Sequence, residues 1–145
     1  MKIEVTVLRL GDEHLLSEIA DGVFDKPLDP VLVKEFFTDA RHHLAVAIDS
    51  GVVVGMASAV DYVNPDKPRE LWVNEVGVAA THRGRGVAKR LLAALFARGR
   101  ERGCQQAWVL TNRSNVAAMR LYDSVGGVID ADDTTMFAFD LGDAR

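Results

Sequence analysis

Glycine and arginine alternate over residues 83–86, between an apolar run and an amphipathic segment. The surrounding stretch, Val76 to Leu92, is predicted to form a strand, a tight loop and a helix. Glycines at 84 and 86 would let backbone N–H groups approach a ligand closely. The flanking arginines and the positive end of the following helix dipole add positive charge. This chemistry suits a phosphate group.

Three interpretations of this loop compete. A dinucleotide-binding loop needs Gly-x-Gly-x-x-Gly, but Lys89 follows the two glycines and the motif lies in mid-chain. A nucleotide-hydrolase loop needs Gly-Lys followed by Ser or Thr, which the chain lacks. A plain strand-to-helix turn with solvated arginines is the third possibility. The loop alone does not decide between such a turn and a phosphate site of another kind.

A second motif lies one predicted strand downstream of the basic helix, from Asn115 to Gly127. It follows the pattern Asn-x-x-Ala-x-x-Leu-Tyr-x-x-x-Gly, at a fixed distance after Arg-x-x-Gly-x-Ala. Together the two motifs resemble the GNAT superfamily of N-acetyltransferases, and the resemblance covers roughly Leu71 to Leu141. It implies a mixed α/β fold in one domain, residues 1–145. The implied sheet is central, twisted and mostly antiparallel, with about seven strands flanked by about four helices.

The resemblance also implies acetyl-coenzyme A as co-substrate, without a metal. Val76, Gly77 and Val78 match the strand that pairs with the pantetheine arm. Asn115 matches a residue that hydrogen-bonds the cofactor near this arm. The positions that match the pyrophosphate loop are Arg83, Gly84, Arg85, Gly86, Val87 and Ala88. The chain departs from the family at Gly84, where a second basic residue is common, and at Gly127, where phenylalanine is common.

Acetyl transfer to an amine needs a proton acceptor, an oxyanion donor and a proton donor for the thiolate. Glu75 precedes the pantetheine-pairing segment and is the candidate base, directly or through water. The Val76 N–H is the candidate oxyanion donor, and Tyr122 matches the family's tyrosine beside the thioester sulfur. The alternatives are a solvated strand residue for Glu75 and a core-packing residue for Tyr122.

The acceptor amine is predicted less directly. The segment Pro68 to Val78, followed by Thr81-His82-Arg83, resembles the aminoglycoside 3-N-acetyltransferase branch, in which an acidic residue stands where Glu75 stands. Six acidic residues are candidates for a rim around a polycation or serve only ordinary loop solubility: Asp61, Asp66, Glu70, Asp130, Asp132 and Asp133. Polyamines, amino-acid derivatives and protein amines are alternative acceptors. A non-catalytic acyl-coenzyme A binding module is an alternative from another class.

Composition narrows the class of protein. The 145 residues carry a formal net charge of −4 and a pI of about 5.5, which argues against wholesale nucleic-acid binding. The one cysteine, Cys104, is expected to be a small core residue in a reducing, cytoplasmic setting. No segment predicts a secretion signal or a membrane span. His42-His43 lacks metal-ligand spacing, and His82 is either a phosphate contact or a surface residue.

Hydrophobic periodicity places these residues on elements. A strand is expected over Ile3–Leu10 and a helix from Asp12 through Val23. The pair Asp29-Pro30 predicts a helix start. The remaining predictions are a hairpin from His43 to Tyr62 with a bulge at Gly55, a loop at 64–68, a strand over Leu71–Val78, a helix over Val87–Arg102, a strand over Gln106–Thr111, a helix capped by Asn115, and two last strands over Val128–Asp130 and Thr135–Leu141. The short last strands leave an edge for a homodimer.

Overall fold

A computed structural model describes residues 2–131 and 133–142. The strands are β1 (Glu4–Val7), β2 (His42–Asp49), β3 (Val52–Asn64), β4 (Lys67–Val78) and β5 (Gln106–Val109). The α-helices are α1 (Pro30–Thr38), α2 (Val87–Glu101) and α3 (Val116–Ser124), and 3-10 turns occupy Glu13–Leu16 and Ala80–His82. The five strands form one sheet in sequence order, antiparallel except for the parallel β4–β5 pair. The predicted mixed α/β, mostly antiparallel fold is confirmed.

Helix α2 packs across one face of the sheet and builds the centre of the core. Its stripe of Val87, Leu91, Leu92 and Leu95 is buried. Burial of each leucine contributes roughly 1.5–3 kcal/mol relative to exposure. Helix and sheet approach closely at Gly55, where an added Cβ would lie 3.0 Å from a Val87 methyl group. This packing fixes the start of α2, and therefore the loop before it, relative to β3 and β4.

Two predicted helix caps and the predicted bulge in β3 are confirmed. Asp29 Oδ1 accepts a hydrogen bond from the Val31 N–H at 2.9 Å at the start of α1. Asn115 Oδ1 accepts from the Ala118 N–H at 3.0 Å at the start of α3. The β2–β3 register shifts beside Gly55, so the expected bulge is also present.

The predicted helix from Asp12 to Val23 is wrong beyond its first turn. The carbonyl of Glu18 accepts from the Val53 N–H at 2.8 Å, and the Ala20 N–H donates to the Val53 carbonyl at 2.9 Å. This parallel bridge to the start of β3 needs extended backbone, which a helix cannot supply. The Asp12 carboxylate accepts from the Arg9 N–H instead of capping a helix.

The two predicted last strands are also wrong within the described residues. The sheet of the described residues therefore has five strands rather than about seven. Without the helix predicted from Asp12 to Val23, these residues form three α-helices rather than about four. Apolar residues of this segment, such as Phe137 (78% exposed) and Leu141 (96% exposed), face solvent. A strand gains stability from a partner ladder, and β5 offers an edge of only four residues. Strand β1 is likewise shorter than predicted, β5 ends at Val109, and the 64–68 loop is a tight turn between β3 and β4.

Candidate active site

A bulge in β4 decides which face of the sheet Glu75 occupies. Val73 pairs with Ala59 and Glu75 pairs with Ser58, which leaves Asn74 as the extra residue. Regular alternation would put Glu75 on the α2 face with the buried Leu71 and Val73. Because the bulge inserts one residue, Glu75 lies on the opposite, exposed face.

The edge of β4 is open just beyond this bulge. Strand β5 pairs with β4 only from Glu70 to Val73. The predicted cofactor segment, Val76–Val78, continues past that ladder and has no strand partner on the β5 side among the described residues. Open backbone groups at a strand edge can pair with an extended amide-containing ligand.

The predicted phosphate loop connects this open edge to α2. The Ala79 N–H donates to the Val54 carbonyl at 2.8 Å and holds the start of the loop against β3. Gly84 and Gly86 have φ of 75° and 76°, a conformation that favours glycine. Beyond the adjacent residues, no atom of the described residues lies within 4 Å of a Cβ built at either. Gly86 is the N-cap of α2 and provides no side-chain cap, and the first turn has no acidic residue. The open loop and the uncapped helix start suit an anion.

Side chains around the loop anchor it to the sheet. Arg83 Nε donates to the Val78 carbonyl at 3.2 Å. His82 Nε2 lies 2.7 Å from Asp49 Oδ2 at the end of β2, and this hydrogen bond lowers the pKa of Asp49. His82 is half-buried, which argues against the second of its two interpretations, a plain surface histidine. No sequence signal marked Asp49, which lies 33 residues away from its partner.

Gly77 has a steric reason for being glycine. An added Cβ would overlap the carbonyl oxygen of Val23, which lies across this part of β4. The chain before α1 therefore packs tightly here against the face of the sheet that carries Glu75. Val23 is itself buried.

Helix α3 carries the other two predicted site residues. The side-chain oxygen of Asn115 is used as the helix cap, so only its NH2 group is left to donate to a ligand. Tyr122 is half-buried against the core, and burial raises the pKa of its hydroxyl. The phenol is therefore protonated at neutral pH and can donate a proton or a hydrogen bond. The Gly127 N–H donates to the Tyr122 carbonyl at 2.9 Å, and a Cβ at Gly127 would lie 2.8 Å from that oxygen.

Asp61 does not belong to an acidic rim. It is 0% exposed on the α2 face and accepts hydrogen bonds from Arg69 at 2.7 Å and from Arg102 at 2.9 Å, with His43 Nε2 at 2.6 Å. Burial alone would raise the pKa of Asp61, but the hydrogen bonds from Arg102, His43 and Arg69 outweigh it and lower the pKa. Burial lowers the pKa of His43, so this histidine is neutral at pH 7. Asp132, another of the six candidates for this rim, lies outside the described residues.

Cys104 is half-buried beside the core, and burial raises the pKa of its thiol. A protonated thiol is a weak nucleophile.

In the described part of the chain, no helix is long and apolar enough to cross a membrane.

The chain belongs to the acetyltransferase (GNAT) family, whose model matches residues 13–126. It is thus an acyltransferase by family, and enzymes of this family use acetyl-coenzyme A.

The chain is similar to several acetyltransferases. The chain is 31% identical over 128 residues to the N-alpha-acetyltransferase RimI of Mycobacterium tuberculosis, covering 86% of this chain and 77% of that protein. It is 33% identical over 90 residues to an aminoglycoside N(6')-acetyltransferase type 1 of Salmonella typhimurium, covering 58% of this chain and 62% of that protein. The fold also matches an aminoglycoside acetyltransferase from an uncultured soil metagenomic sample, solved with sisomicin, with a TM-score of 0.78 at 14% identity over 97% of each chain.

Proposed function

We propose that this protein transfers the acetyl group of acetyl-coenzyme A to a primary amine of a cationic acceptor. One observation carries the proposal: the open edge at Val76–Val78 joins an uncapped glycine loop at one end and the bulge-presented Glu75 at the other. A thioester arm lying along this edge would bring its phosphates to the loop and its acetyl group to Glu75.

The residues present fit coenzyme A. Loop residues 83–88 offer backbone N–H groups and two arginines to a pyrophosphate, at an α2 start that has no side-chain cap. Apart from the Val78 carbonyl, which accepts from Arg83, the edge at Val76–Val78 offers backbone groups to the amides of the pantetheine arm. The NH2 group of Asn115 can donate to the same arm. When bound, the co-substrate supplies an acetyl group already activated as a thioester.

Three groups of this chain would then manage the protons and charge of the reaction. Glu75 accepts a proton from the acceptor ammonium, directly or through water, and the free amine forms the new C–N bond. The Val76 N–H donates to the carbonyl oxygen as negative charge develops there. The C–S bond breaks, and the protonated Tyr122 gives the leaving thiolate a hydrogen bond or a proton. The second proton that the acetylated nitrogen loses restores the phenol or protonates the thiolate.

The leading acceptor is an aminoglycoside, with the 3-N position as the predicted site of acetylation. The Salmonella relative and the sisomicin-bound structure support this acceptor class, although the Salmonella enzyme modifies the 6' position by its name. Modification of the drug would make the protein a resistance enzyme. A protein N-terminal amine is the second candidate, because the RimI relative matches most of this chain. Polyamines and amino-acid derivatives complete the set of acceptors to test. A single domain over 1–145, a cytoplasmic location and a homodimer stay predictions.

The test measures thiol release from acetyl-coenzyme A with each of four classes of acceptor. These are aminoglycosides, polyamines, amino acids and peptides with a free N-terminal amine. Turnover with at least one amine supports the proposal, and the pattern of acceptors selects among the classes. Mass spectrometry of the product gives the regiochemistry. Tight coenzyme A binding without turnover of any amine would reduce the protein to an acyl-coenzyme A binding module. Glu101→Gln, an exposed carboxylate on α2, is the matched control for Glu75→Gln.

A further inference from the structure

Both tryptophans of the chain lie together on the face of the sheet that carries Glu75. Cross-strand partners share a face, and Ser58, Val60 and Tyr62 alternate along β3 on one face. Their partners in β4 are Glu75, Trp72 and Glu70 respectively. Trp108 of β5 pairs with Trp72. This face is therefore lined by aromatic rings and carboxylates directly beside the proposed base.

The aromatic rings form an ordered platform. The indoles of Trp72 and Trp108 are stacked with centroids 5.0 Å apart and an interplanar angle of 5°. Trp108 Nε1 donates to the Tyr62 hydroxyl at 2.6 Å, and that hydroxyl donates to Glu70 Oε1 at 2.8 Å. The chain of hydrogen bonds fixes both the second indole and the carboxylate. Side-chain order of this kind lowers the cost of binding a ligand.

The platform keeps an open side. Trp72 is 37% exposed although it is stacked on its neighbour. No cation of the described residues forms an ion pair with Glu70, in contrast to Asp61 on the other face. Within residues 70–75 the ionisable side chains are both carboxylates, Glu70 and Glu75. An exposed indole beside an uncompensated carboxylate attracts an organic cation.

We propose that Trp72, Trp108 and Glu70 form a subsite for a second cationic group of the acceptor, beside the amine that is acetylated. This inference rests on the proposed function. Trp72 and Glu75 are separated by one same-face step of the β3 ladder, about 7 Å at the usual strand rise. The subsite therefore selects diamines and aminated sugars, whose second ammonium lies a few bonds from the first. Glu75 receives the reacting amine and the indole platform receives its neighbour.

The chain offers a direct readout, because Trp72 and Trp108 are its two tryptophans. Tryptophan emission of the coenzyme A-saturated protein is titrated with 1,5-diaminopentane and, as the matched monocation, with pentylamine. We expect the diamine to change the emission with an affinity roughly threefold to thirtyfold above that of pentylamine, the range of one cation–π contact. Equal affinities, or no change with the diamine, would overturn the subsite.

Variants assign the effect to named groups. Trp72→Leu and, separately, Glu70→Gln should each bring the two affinities to within about twofold, with emission read from the tryptophans that remain. Two control variants should leave the preference unchanged. Val63→Ala alters an exposed apolar residue of β3, and Glu101→Gln removes an exposed carboxylate of α2. A preference that survives Trp72→Leu would contradict the assignment. Thermal unfolding of each variant separates loss of binding from loss of fold.

Thiol release distinguishes this inference from the proposed function. Release with pentylamine and 1,5-diaminopentane at equal kcat/KM would refute the subsite and leave the acetyltransferase standing. A diamine preference in emission without thiol release from any amine would support the subsite and refute catalysis.

Discussion

Asp61 and Tyr62 are neighbours in β3, but they point to opposite faces of the sheet and have different surroundings. On the α2 face, the Asp61 carboxylate is fully buried and is saturated by two arginines and His43. On the other face, Tyr62 links Trp108 to Glu70, and the adjoining Trp72 and Glu75 are exposed. Both faces use carboxylates and N–H donors. A closed network supports stability, and a network with an open side and an unpaired charge is available to a ligand.

The largest expected effect comes from breaking the closed network. Asp61→Asn should lower the free energy of unfolding by about 3 kcal/mol, since removing one partner leaves the others uncompensated. The cost lies at the lower end of the usual range because Arg69 and Arg102 are each about a third exposed and regain water. Chemical denaturation measures it. Asp66→Asn, which removes an exposed pair with Lys67, is the control and should change stability by less than about 1 kcal/mol. Similar losses for both would refute the buried network as a stabilising feature.

The open face should behave in the opposite way. Glu75→Gln should lower kcat by about 100-fold at neutral pH, the usual worth of a general base, and leave the unfolding free energy nearly unchanged because Glu75 is exposed. Its pH–rate profile should lose the limb that reports the base. An identical profile in the variant would assign the proton transfer to water or to another residue.

Tyr122→Phe tests the proton donor. Turnover should fall by about tenfold, less than general acids usually contribute, because a thiolate leaves readily. Coenzyme A affinity should stay within about twofold, since the hydroxyl acts on the sulfur late in the reaction. Equal turnover would return Tyr122 to a packing role, and a large loss of affinity would make it a binding residue.

The smallest expected effect is a dependence of the unfolding free energy on pH, which arises from His43 in the buried network of the α2 face. Burial lowers the pKa of His43, so the folded chain holds this histidine neutral while the unfolded chain takes up a proton below about pH 6.5. Stability should therefore fall as pH drops below about 6.5, by at most about 1.4 kcal/mol per pH unit, until the pH reaches the lowered pKa of His43. Asp61 adds its loss only at lower pH, as pH falls through its lowered pKa. His43→Gln should flatten this slope and the exposed His14→Gln should not; equal slopes in wild type and His43→Gln would contradict the assignment.

The sequence predicted those parts of the fold that depend on local chemistry. Asp29 and Asn115 cap helices where a capping residue precedes an apolar stripe. The family motifs identified the loop, α3 and the acyltransferase class. Site roles of Glu75 and Tyr122 stay predictions.

Long-range pairing explains what the sequence could not predict. Residues 18–20 carry a helical pattern, yet their backbone pairs with Val53. The alternating segment 135–141 reads as a strand but meets no partner in the described residues. Strict alternation puts Glu75 on the buried face, and only the β3–β4 register, with Asn74 as the extra residue, turns it to the site. The His82–Asp49 and Asp61 networks likewise join residues far apart in sequence.

The central claim is that coenzyme A lies along the open edge of β4 with its phosphates at the start of α2. Residue-resolved amide hydrogen exchange, followed by NMR with and without coenzyme A, tests it most directly. The account predicts slower exchange on binding for amides of Val76–Val78 and of residues 84–88, with the β1 amides unchanged. Protection confined to other elements, with Val76–Val78 exchanging as fast as in the free protein, would contradict it.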